Sequence, residues 1–295
     1  MSASAGRNSD AFEFATFWHG PLNPIAYSCL ASFPHVGAPL RLYSYDNSLD
    51  LPPGVELADA RGICPDETLL SRYVVGGKPS IAMFADMFRY RLIQDFGCCW
   101  VDTDLICLRR PDFADEAIVF GRQAEAHGKA LINNAVLRLP RDHPLLEELL
   151  ARAAAALDIE QSWGAIGPFL LTDLAEKYGV DACAHDVSDF YPVDADNFWR
   201  PLLPAYGAAV AKAAEGATFL HLWSEMFERA AYDKSACPPA GSFLHDAFGR
   251  LGTLDRFSRV YEASELTAVL SKWIGEGERQ ARANVELIDG RGAPR

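Results

Sequence analysis

The sequence has no long apolar run, no paired-cysteine pattern and a shortage of basic residues. No stretch approaches the roughly 18 consecutive apolar residues of a membrane-spanning helix, and the opening segment MSASAGRNSD lacks the apolar core of a signal peptide. The 7 cysteines show no CxxC spacing, which argues against a disulfide framework and a structural zinc site. Lys and Arg total 27 against 40 Asp and Glu. The formal net charge of −13 therefore disfavours nucleic acid and anionic membrane as primary partners.

These absences predict a cytoplasmic protein without a transmembrane segment, although peripheral contact with a membrane stays open. The chain has 295 residues, of which 49% are hydrophobic, so it can bury a large core. We predict a single α/β domain over residues 1–295. Within it, residues 236–289 should form a C-terminal helical extension, and the polar ends 1–10 and 290–295 should be disordered.

The most informative segment of the sequence is residues 80–112, and its first part is predicted to be a helix. Residues 80–96 contain no Pro or Gly, Ser80 suits the N-cap, and Gly97 suits a left-handed residue after the helix. Most faces of this helix are apolar, which indicates that it is buried against a sheet. Asp86 and Arg89, three residues apart, project from the same side. Two buried charges are costly unless they pair or meet a polar ligand.

After Gly97 the pattern becomes that of a buried strand. Residues 98–101 and 105–108 are apolar, and the acidic sequence Asp102-Thr103-Asp104 lies between them. On one continuous strand, residues two apart point the same way, so both carboxylates would converge on one spot. A divalent cation suits that geometry, because it takes hard oxygen ligands and completes its shell with water and phosphate oxygens.

The rest of the chain alternates strands and helices. A β-α-β opening is predicted over residues 12–18, 24–33 and 40–45, with a short strand at 55–58 and a loop at 60–79. Further strands are expected at 117–122, 130–139 and 217–223, with His221 and Trp223 on one face of the last. Helices are expected at 143–157, 172–178, 242–254 and 265–283.

The motifs Asp86-x-x-Arg89 and Trp100-x-Asp102-x-Asp104 together carry a family resemblance. The chain resembles glycosyltransferase family 32, the sugar-binding-region type that contains a DXD motif, and is distantly similar to the clostridial glucosylating toxins. Further blocks follow in the expected order over residues 14–235: FWHGPLNPIAYSCLASF, LYSYD, ADMFRYRLIQDFG, INNAVLRLP, IGPFLLT and LHLW. One departure is that Cys98-Cys99 stands where many relatives have a second Gly before the aromatic residue.

The resemblance implies a GT-A fold with a mostly parallel central sheet and added C-terminal helices. It also implies a nucleotide-sugar donor, with a UDP-sugar favoured over a GDP-sugar, and transfer with retention of anomeric configuration. The cofactor would be Mn²⁺ or Mg²⁺. The acceptor would be a glycan, a lipid or a protein, as in the biosynthesis of bacterial surface polysaccharide. The nucleotide, the sugar and the acceptor are not chosen by the sequence.

Carried over by position, the resemblance also assigns roles. Asp104 would be the direct metal ligand, Asp102 would contact ribose and the waters of the metal, and His221 would be a further ligand. The predicted donor-binding residues are Trp18, Tyr45, Asp86, Arg89, Asp102, Asn133 or Asn134, and Trp223, and the predicted catalytic set is Asp86, Arg89, Asp102 and Asp104.

Simpler interpretations stay open beside these roles. The two aspartates could be turn residues at a strand end, Asp86 and Arg89 a structural ion pair, and His221, Trp18 and Trp223 ordinary core residues. Cys98 and Cys99 are interpreted as small buried hydrophobic residues. Two other functions also remain: a non-catalytic sugar-nucleotide-binding scaffold, and a phosphatase of the haloacid-dehalogenase type, against which Ile106 stands where Thr or Val is usual. No residue stands out as a nucleophile, which favours front-face substitution over double displacement.

Overall fold

A computed structural model describes residues 13–126 and 129–290. The predicted disordered segment 1–10 lies outside the described residues, as does 290–295 apart from Gly290. Among the described residues, no helix is long and apolar enough to cross a membrane.

The described chain alternates short strands with helices. The strands are β1 Phe14–Phe17, β2 Leu40–Ser44, β3 Val55–Asp59, β4 Val74–Val75, β5 Lys78–Pro79, β6 Cys99–Val101, β7 Leu105–Cys107, β8 Val119–Ala126, β9 Lys129–Arg138, β10 Glu160–Gln161, β11 Phe219–His221, β12 Ala236–Cys237 and β13 Arg259–Val260. The α-helices are α1 Pro24–His35, α2 Ile81–Phe96, α3 Pro144–Ala155, α4 Pro168–Lys177, α5 Val187–Phe190, α6 Gly207–Ala213, α7 Ser224–Arg229, α8 Phe243–Leu251 and α9 Ala263–Gly290. Short 3₁₀ helices cover Ala60–Gly62, Glu67–Ser71, Asp181–Cys183, Ala195–Asn197, Arg200–Leu202, Pro204–Tyr206 and Leu254–Arg256.

The central sheet joins six strands in the order β3-β2-β1-β6-β9-β8. The pairs β2–β3, β1–β2 and β1–β6 are parallel, whereas β6–β9 and β8–β9 are antiparallel. The prediction of a mixed α/β protein with a central sheet is confirmed. The parallel character that we expected of most of the sheet holds on one side of β6 only.

Helix α2 forms where local signals predict it. The Ser80 hydroxyl accepts a hydrogen bond from the Met83 N–H at 3.3 Å. At the other end Gly97 has φ 67°, and its N–H donates to the Ile93 carbonyl at 2.7 Å, which ends the helix. The Phe88 ring lies against Phe17 of β1 with centroids 4.7 Å apart. This packing fixes the rotation of α2 on the sheet.

The single strand that we predicted over residues 98–108 is wrong. Strand β6 belongs to the central sheet, whereas β7 pairs antiparallel with β11 in a separate two-stranded sheet. The motif Asp102-Thr103-Asp104 is the turn between them, with the Leu105 N–H donating to the Asp102 carbonyl at 3.4 Å. The apolar run is interrupted because its two halves join different sheets, so the carboxylates meet through a turn and not through strand alternation.

The predicted strand 217–223 is also shorter than expected. It ends at His221, and Trp223 has a left-handed backbone with φ 56°, which removes it from the strand face that we assigned to it. The predicted loop 60–79 contains two 3₁₀ helices and the β4–β5 hairpin, whose turn residues Gly76 and Gly77 have φ 61° and 71°.

The C-terminal helices share a core with the body of the protein. Leu244 and Phe248 of α8 and Leu270 of α9 lie in one apolar cluster that also contains Trp199 and Ile25 of α1. The hydroxyls of Ser28 and Thr253 are 2.7 Å apart in the same region. Helix α8 therefore packs directly on the first helix of the chain.

Candidate active site

The three residues assigned to the metal site meet where β6 and β11 end and β7 begins. Asp102, Asp104 and His221 each offer one ligand atom, and these atoms lie within 4.8 Å of one another. His221 is paired with Leu105 in the β7–β11 register, which places it beside the turn. Asp104 Oδ1 lies 3.2 Å from His221 Nε2, and Asp104 Oδ2 accepts the Ser224 N–H at 2.8 Å. The two sheets therefore build the cluster together.

The charges of this cluster stabilise one another. Burial alone would raise the pKa of Asp104, but His221 and the Ser224 N–H overcome it and bring the pKa to about 2. Burial alone would lower the pKa of His221, and the Asp104 carboxylate raises it above its ordinary value. His221 Nδ1 is buried without a hydrogen-bond partner among the described residues. Two carboxylate oxygens and one imidazole nitrogen suit a divalent first-row cation such as Mn²⁺, and the side chains present fit such an ion.

A buried arginine connects this cluster to helix α2. Arg89 is 4% exposed, and its guanidinium donates to Asp102 Oδ1 at 2.9 Å and to the Asn134 carbonyl at 2.6 Å. It lies 3.3 Å from Asp86 Oδ1 and 4.8 Å above the Trp100 ring, and the Trp100 indole N–H also donates to Asp102 Oδ1 at 2.6 Å. Burial opposes the Arg89 charge, but the two carboxylates more than offset it and raise its pKa. Asp86, Arg89 and Asp102 therefore form one continuous chain of charges.

Asp86 is the most deeply enclosed carboxylate of the chain of charges. It is 8% exposed, and burial raises its pKa to about 6, with Arg89 and the Asn134 amide opposing the rise. Asn134 Nδ2 donates to Asp86 Oδ1 at 2.8 Å. A Cβ on Gly167 would lie 2.8 Å from Asp86 Oδ2, so a side chain there would displace the carboxylate. The IGPFLLT block contains this glycine, but no role for Gly167 was predicted from the sequence.

The two adjacent asparagines separate into different environments. Successive side chains of a strand face opposite sides, and only Asn134 faces Asp86. Asn133 Nδ2 donates to Gln123 Oε1 at 2.9 Å, and its Oδ1 accepts the Ala135 N–H at 2.7 Å. The structure therefore brings Asn134 to the candidate site and engages Asn133 in the β8–β9 hairpin.

No family profile matches the sequence, and no curated protein matches it. The solved structures to which the chain is similar include three that are described as glycosyltransferases. The apo structure of the bifunctional WbbM is 11% identical over 74% of this chain and 47% of its own, with a TM-score of 0.42. The glycosyltransferase PaToxG is 14% identical over 58% of this chain and 70% of its own, with a TM-score of 0.35.

The third is GlyE of Streptococcus pneumoniae TIGR4, which is 14% identical over 90% of this chain and 64% of its own, with a TM-score of 0.41. The chain thus spans less than half of WbbM and under two thirds of GlyE. At these TM-scores the likeness carries no weight for individual residue roles, which depend on the site geometry above.

The three aromatic side chains that were predicted to bind the donor lie in different parts of the structure. The Trp223 ring is 4.1 Å from His221, but its indole N–H already donates to the Val193 carbonyl at 2.8 Å. The Trp18 indole N–H donates to the Gly20 carbonyl at 2.9 Å. Tyr45 is buried in the core, where its hydroxyl donates to the Cys64 carbonyl at 2.8 Å. Of these rings, Trp223 is the one that directly contacts a predicted metal ligand.

Three further buried side chains are informative. Cys98 and Cys99 are both buried, as predicted, and burial raises the pKa of the Cys98 thiol to about 12. Tyr191 was missed in the sequence: it is fully buried, with its ring 5.6 Å from that of His221. Burial, followed by the Asp102 charge, raises the pKa of its hydroxyl. The short segment around Tyr191 carries no motif that could have identified it.

Proposed function

We propose that this protein is a metal-dependent, retaining glycosyltransferase of the GT-A type that uses a nucleotide-sugar donor. The observation that supports the proposal most strongly is the joining of a candidate metal cluster to a buried Asp–Arg–Asp chain. A purely structural ion pair would need Asp86 and Arg89 alone. Here Arg89 also reaches Asp102, whose side chain is 27% exposed, so the buried charges extend to a solvent-accessible position.

Asp102, Asp104 and His221 are the residues that would hold the cation. A bound Mn²⁺ or Mg²⁺ would neutralise charge on the departing nucleoside diphosphate. Arg89 contributes a permanent positive charge at low dielectric without needing to reorganise, because three acceptors already fix its guanidinium. The Ser224 N–H, which donates to Asp104 Oδ2, favours the ionised form of Asp104 that a cation requires, and His221 would bind the cation as the neutral imidazole.

Asp86, Asn134 and Gly167 would form the sugar end of the site. The Asp86 carboxylate is a hydrogen-bond acceptor for sugar hydroxyls, and Asn134 fixes its orientation. The missing side chain of Gly167 lets the main chain approach Asp86 Oδ2 closely. This arrangement suits a polyhydroxylated ligand, because every donor hydroxyl that enters a buried pocket needs an acceptor.

For the reaction we propose front-face substitution. The acceptor oxygen would bond to the anomeric carbon on the face from which the bond to the phosphate oxygen breaks, and the acceptor proton would pass to the departing phosphate. Asp86 is a poor nucleophile in this setting, because Arg89 and Asn134 both engage its Oδ1. A covalent sugar adduct trapped on Asp86 would contradict this mechanism and favour double displacement.

A thermal-shift screen tests the donor assignment. UDP-, GDP- and ADP-sugars would each be added with and without Mn²⁺, to the wild type and to Asp104→Asn. A donor at about 100 times its Kd should stabilise the fold by about 2.7 kcal/mol through linkage. We expect a UDP-sugar to raise the melting temperature of the wild type only with Mn²⁺, and to leave Asp104→Asn unmoved. A donor set without any effect would contradict the proposal, and a shift without sugar hydrolysis would favour the non-catalytic scaffold.

A further inference from the structure

Two aromatic side chains are exposed where the loop that passes over Asp86 leads into helix α4: Trp163 lies on the loop and Phe169 in the first turn of the helix. Trp163 is 49% exposed and Phe169 is 37% exposed, and their rings meet edge to face with centroids 6.0 Å apart. Phe169 also packs against Gly164, where an added Cβ would lie 3.0 Å from its ring. The pair is therefore ordered by its own contacts while it remains open to solvent. An exposed apolar pair of this kind marks a ligand or partner surface more often than an isolated exposed residue does.

The loop that carries Trp163 is fixed to the candidate site. The Tyr90 hydroxyl donates to the Ile166 carbonyl at 2.6 Å, which ties the loop to helix α2 one turn beyond Asp86. Gly167 lies against the Asp86 carboxylate, as described above. Trp163 precedes Gly167 by four residues, so the two Cα atoms are at most about 14 Å apart. The aromatic pair is therefore within reach of a short oligosaccharide whose end lies at Asp86.

The chemistry of the pair favours a neutral sugar. One face of a pyranose ring carries C–H groups that pack on the electron-rich face of an aromatic ring, while its hydroxyls remain available to polar neighbours. Gln161 and the exposed Ser162 immediately precede Trp163 and supply such neighbours. Between Arg152 and Lys177 the sequence contains acidic residues but no Lys or Arg. Basic residues of neighbouring elements include Arg72, which is paired with Asp158, and Lys78 of β5, but the acidic residues of this segment outnumber these two, which disfavours an anionic membrane or a lipid-linked phosphate.

We propose that Trp163 and Phe169 form the acceptor side of the site, where a neutral glycan stacks before it receives the donor sugar. The inference rests on the proposed transferase function, because that function requires an acceptor beside the donor sugar at Asp86. The β4–β5 hairpin borders the same region: Glu160 of β10 accepts the N–H groups of Gly76 and Gly77. This contact fixes strand β10, which leads into the loop that carries Trp163.

Sugar binding by saturation-transfer NMR tests this assignment directly. The probes are neutral methyl glycosides and disaccharides of glucose, galactose and mannose, titrated against the wild type, Trp163→Ala, Trp163→Phe and Phe96→Ala. Phe96 ends helix α2 and is 37% exposed, so its truncation is a matched control for loss of an exposed ring. We expect at least one probe to bind the wild type and Phe96→Ala alike. Trp163→Ala should weaken that binding about tenfold, and Trp163→Phe should restore most of it.

Three results would overturn the proposal. They are an absence of binding by every sugar, equal binding by Trp163→Ala and wild type, and co-sedimentation of the wild type with phosphatidylglycerol vesicles that Trp163→Ala abolishes. The last result would assign the pair to a lipid surface. The donor thermal shift separates this inference from the proposed function. If sugar binding depends on Trp163 while no nucleotide sugar raises the melting temperature of the wild type, Trp163 and Phe169 form a sugar-binding site and the transferase proposal fails.

Discussion

Substitution of Gly167 by alanine should damage the candidate site by steric displacement. The added Cβ would lie 2.8 Å from Asp86 Oδ2 and 3.3 Å from Asn134 Nδ2. An ordinary contact needs about 3.5 Å, so the carboxylate would have to retreat by about 0.7 Å. It cannot do so freely, because Asn134 holds its other oxygen at 2.8 Å and Arg89 lies 3.3 Å away.

The energetic terms favour a net loss of stability. Overpacking of a tight site costs about 1–3 kcal/mol, and weakening the Asn134 hydrogen bond costs up to about 1 kcal/mol. Alanine also reduces the conformational entropy of the unfolded chain, which stabilises the fold by about 0.4–1 kcal/mol. We therefore expect Gly167→Ala to lower the free energy of unfolding by about 2 kcal/mol and to weaken donor binding.

Urea unfolding followed by circular dichroism measures the first effect, and the donor thermal shift measures the second. Gly62→Ala is the control, because no atom lies within 4 Å of a Cβ built at Gly62 and its φ is not left-handed. The free energy of unfolding of Gly62→Ala should equal that of the wild type or exceed it by up to about 1 kcal/mol. Equal stability of Gly167→Ala and Gly62→Ala would refute the close approach of the loop to Asp86.

Two further predictions concern charged groups. Asp104→Asn should reduce turnover more than about 100-fold. It should lower the free energy of unfolding by about 1 kcal/mol, because the amide oxygen can still accept the Ser224 N–H. Asp104→Ala leaves that N–H unpaired and should lower the free energy of unfolding by about 1–3 kcal/mol. Similar activity of Asp104→Asn and wild type would remove Asp104 from the ligand set. Asp189 and Glu116 raise the pKa of His185, so this contact stabilises the fold below about pH 6.5 and weakens as pH rises through the raised pKa. The stability difference between wild type and His185→Gln, from urea unfolding, should therefore shrink from pH 6 to about pH 9; a constant difference would contradict it.

Local signals were sufficient for the helix at the centre of the site. The bounds of α2 follow from a hydroxyl cap at Ser80 and a left-handed Gly97, both of which depend on neighbours in the sequence. The same-side placement of Asp86 and Arg89 follows from helix geometry alone, and their 3.3 Å contact agrees with it.

The turn at Asp102–Asp104 could not be predicted in the same way. An apolar run broken by two aspartates fits one strand in one sheet as well as two strands in two sheets. The choice depends on β11, more than a hundred residues later, which pairs with β7 and removes it from the central sheet. The same long-range pairing places His221 beside Asp104. The convergence of Asp102 and Asp104 was expected from strand alternation, which is the wrong geometry, and the place of His221 beside them was expected only from the family resemblance.

Two other features depend on distant partners. Strand alternation shows that Asn133 and Asn134 face opposite sides, but which one faces Asp86 depends on how β9 registers with β6 and β8. A glycine such as Gly167 carries no local sign of what lies against it, and its neighbour Asp86 is 81 positions away in a different helix. Packing between distant segments, and not propensity, decides both.

Metal-dependent release of a nucleoside diphosphate from a nucleotide sugar is the most direct test of the central claim. The wild type and Asp104→Asn would be incubated with UDP-glucose, UDP-galactose and UDP-N-acetylglucosamine, with Mn²⁺ or with EDTA, and the released UDP would be quantified. The geometry of Asp102, Asp104 and His221 predicts release by the wild type with Mn²⁺ only, and almost none by Asp104→Asn. Equal release with Mn²⁺ and with EDTA, or equal release by the two proteins, would contradict the proposed metal-dependent site.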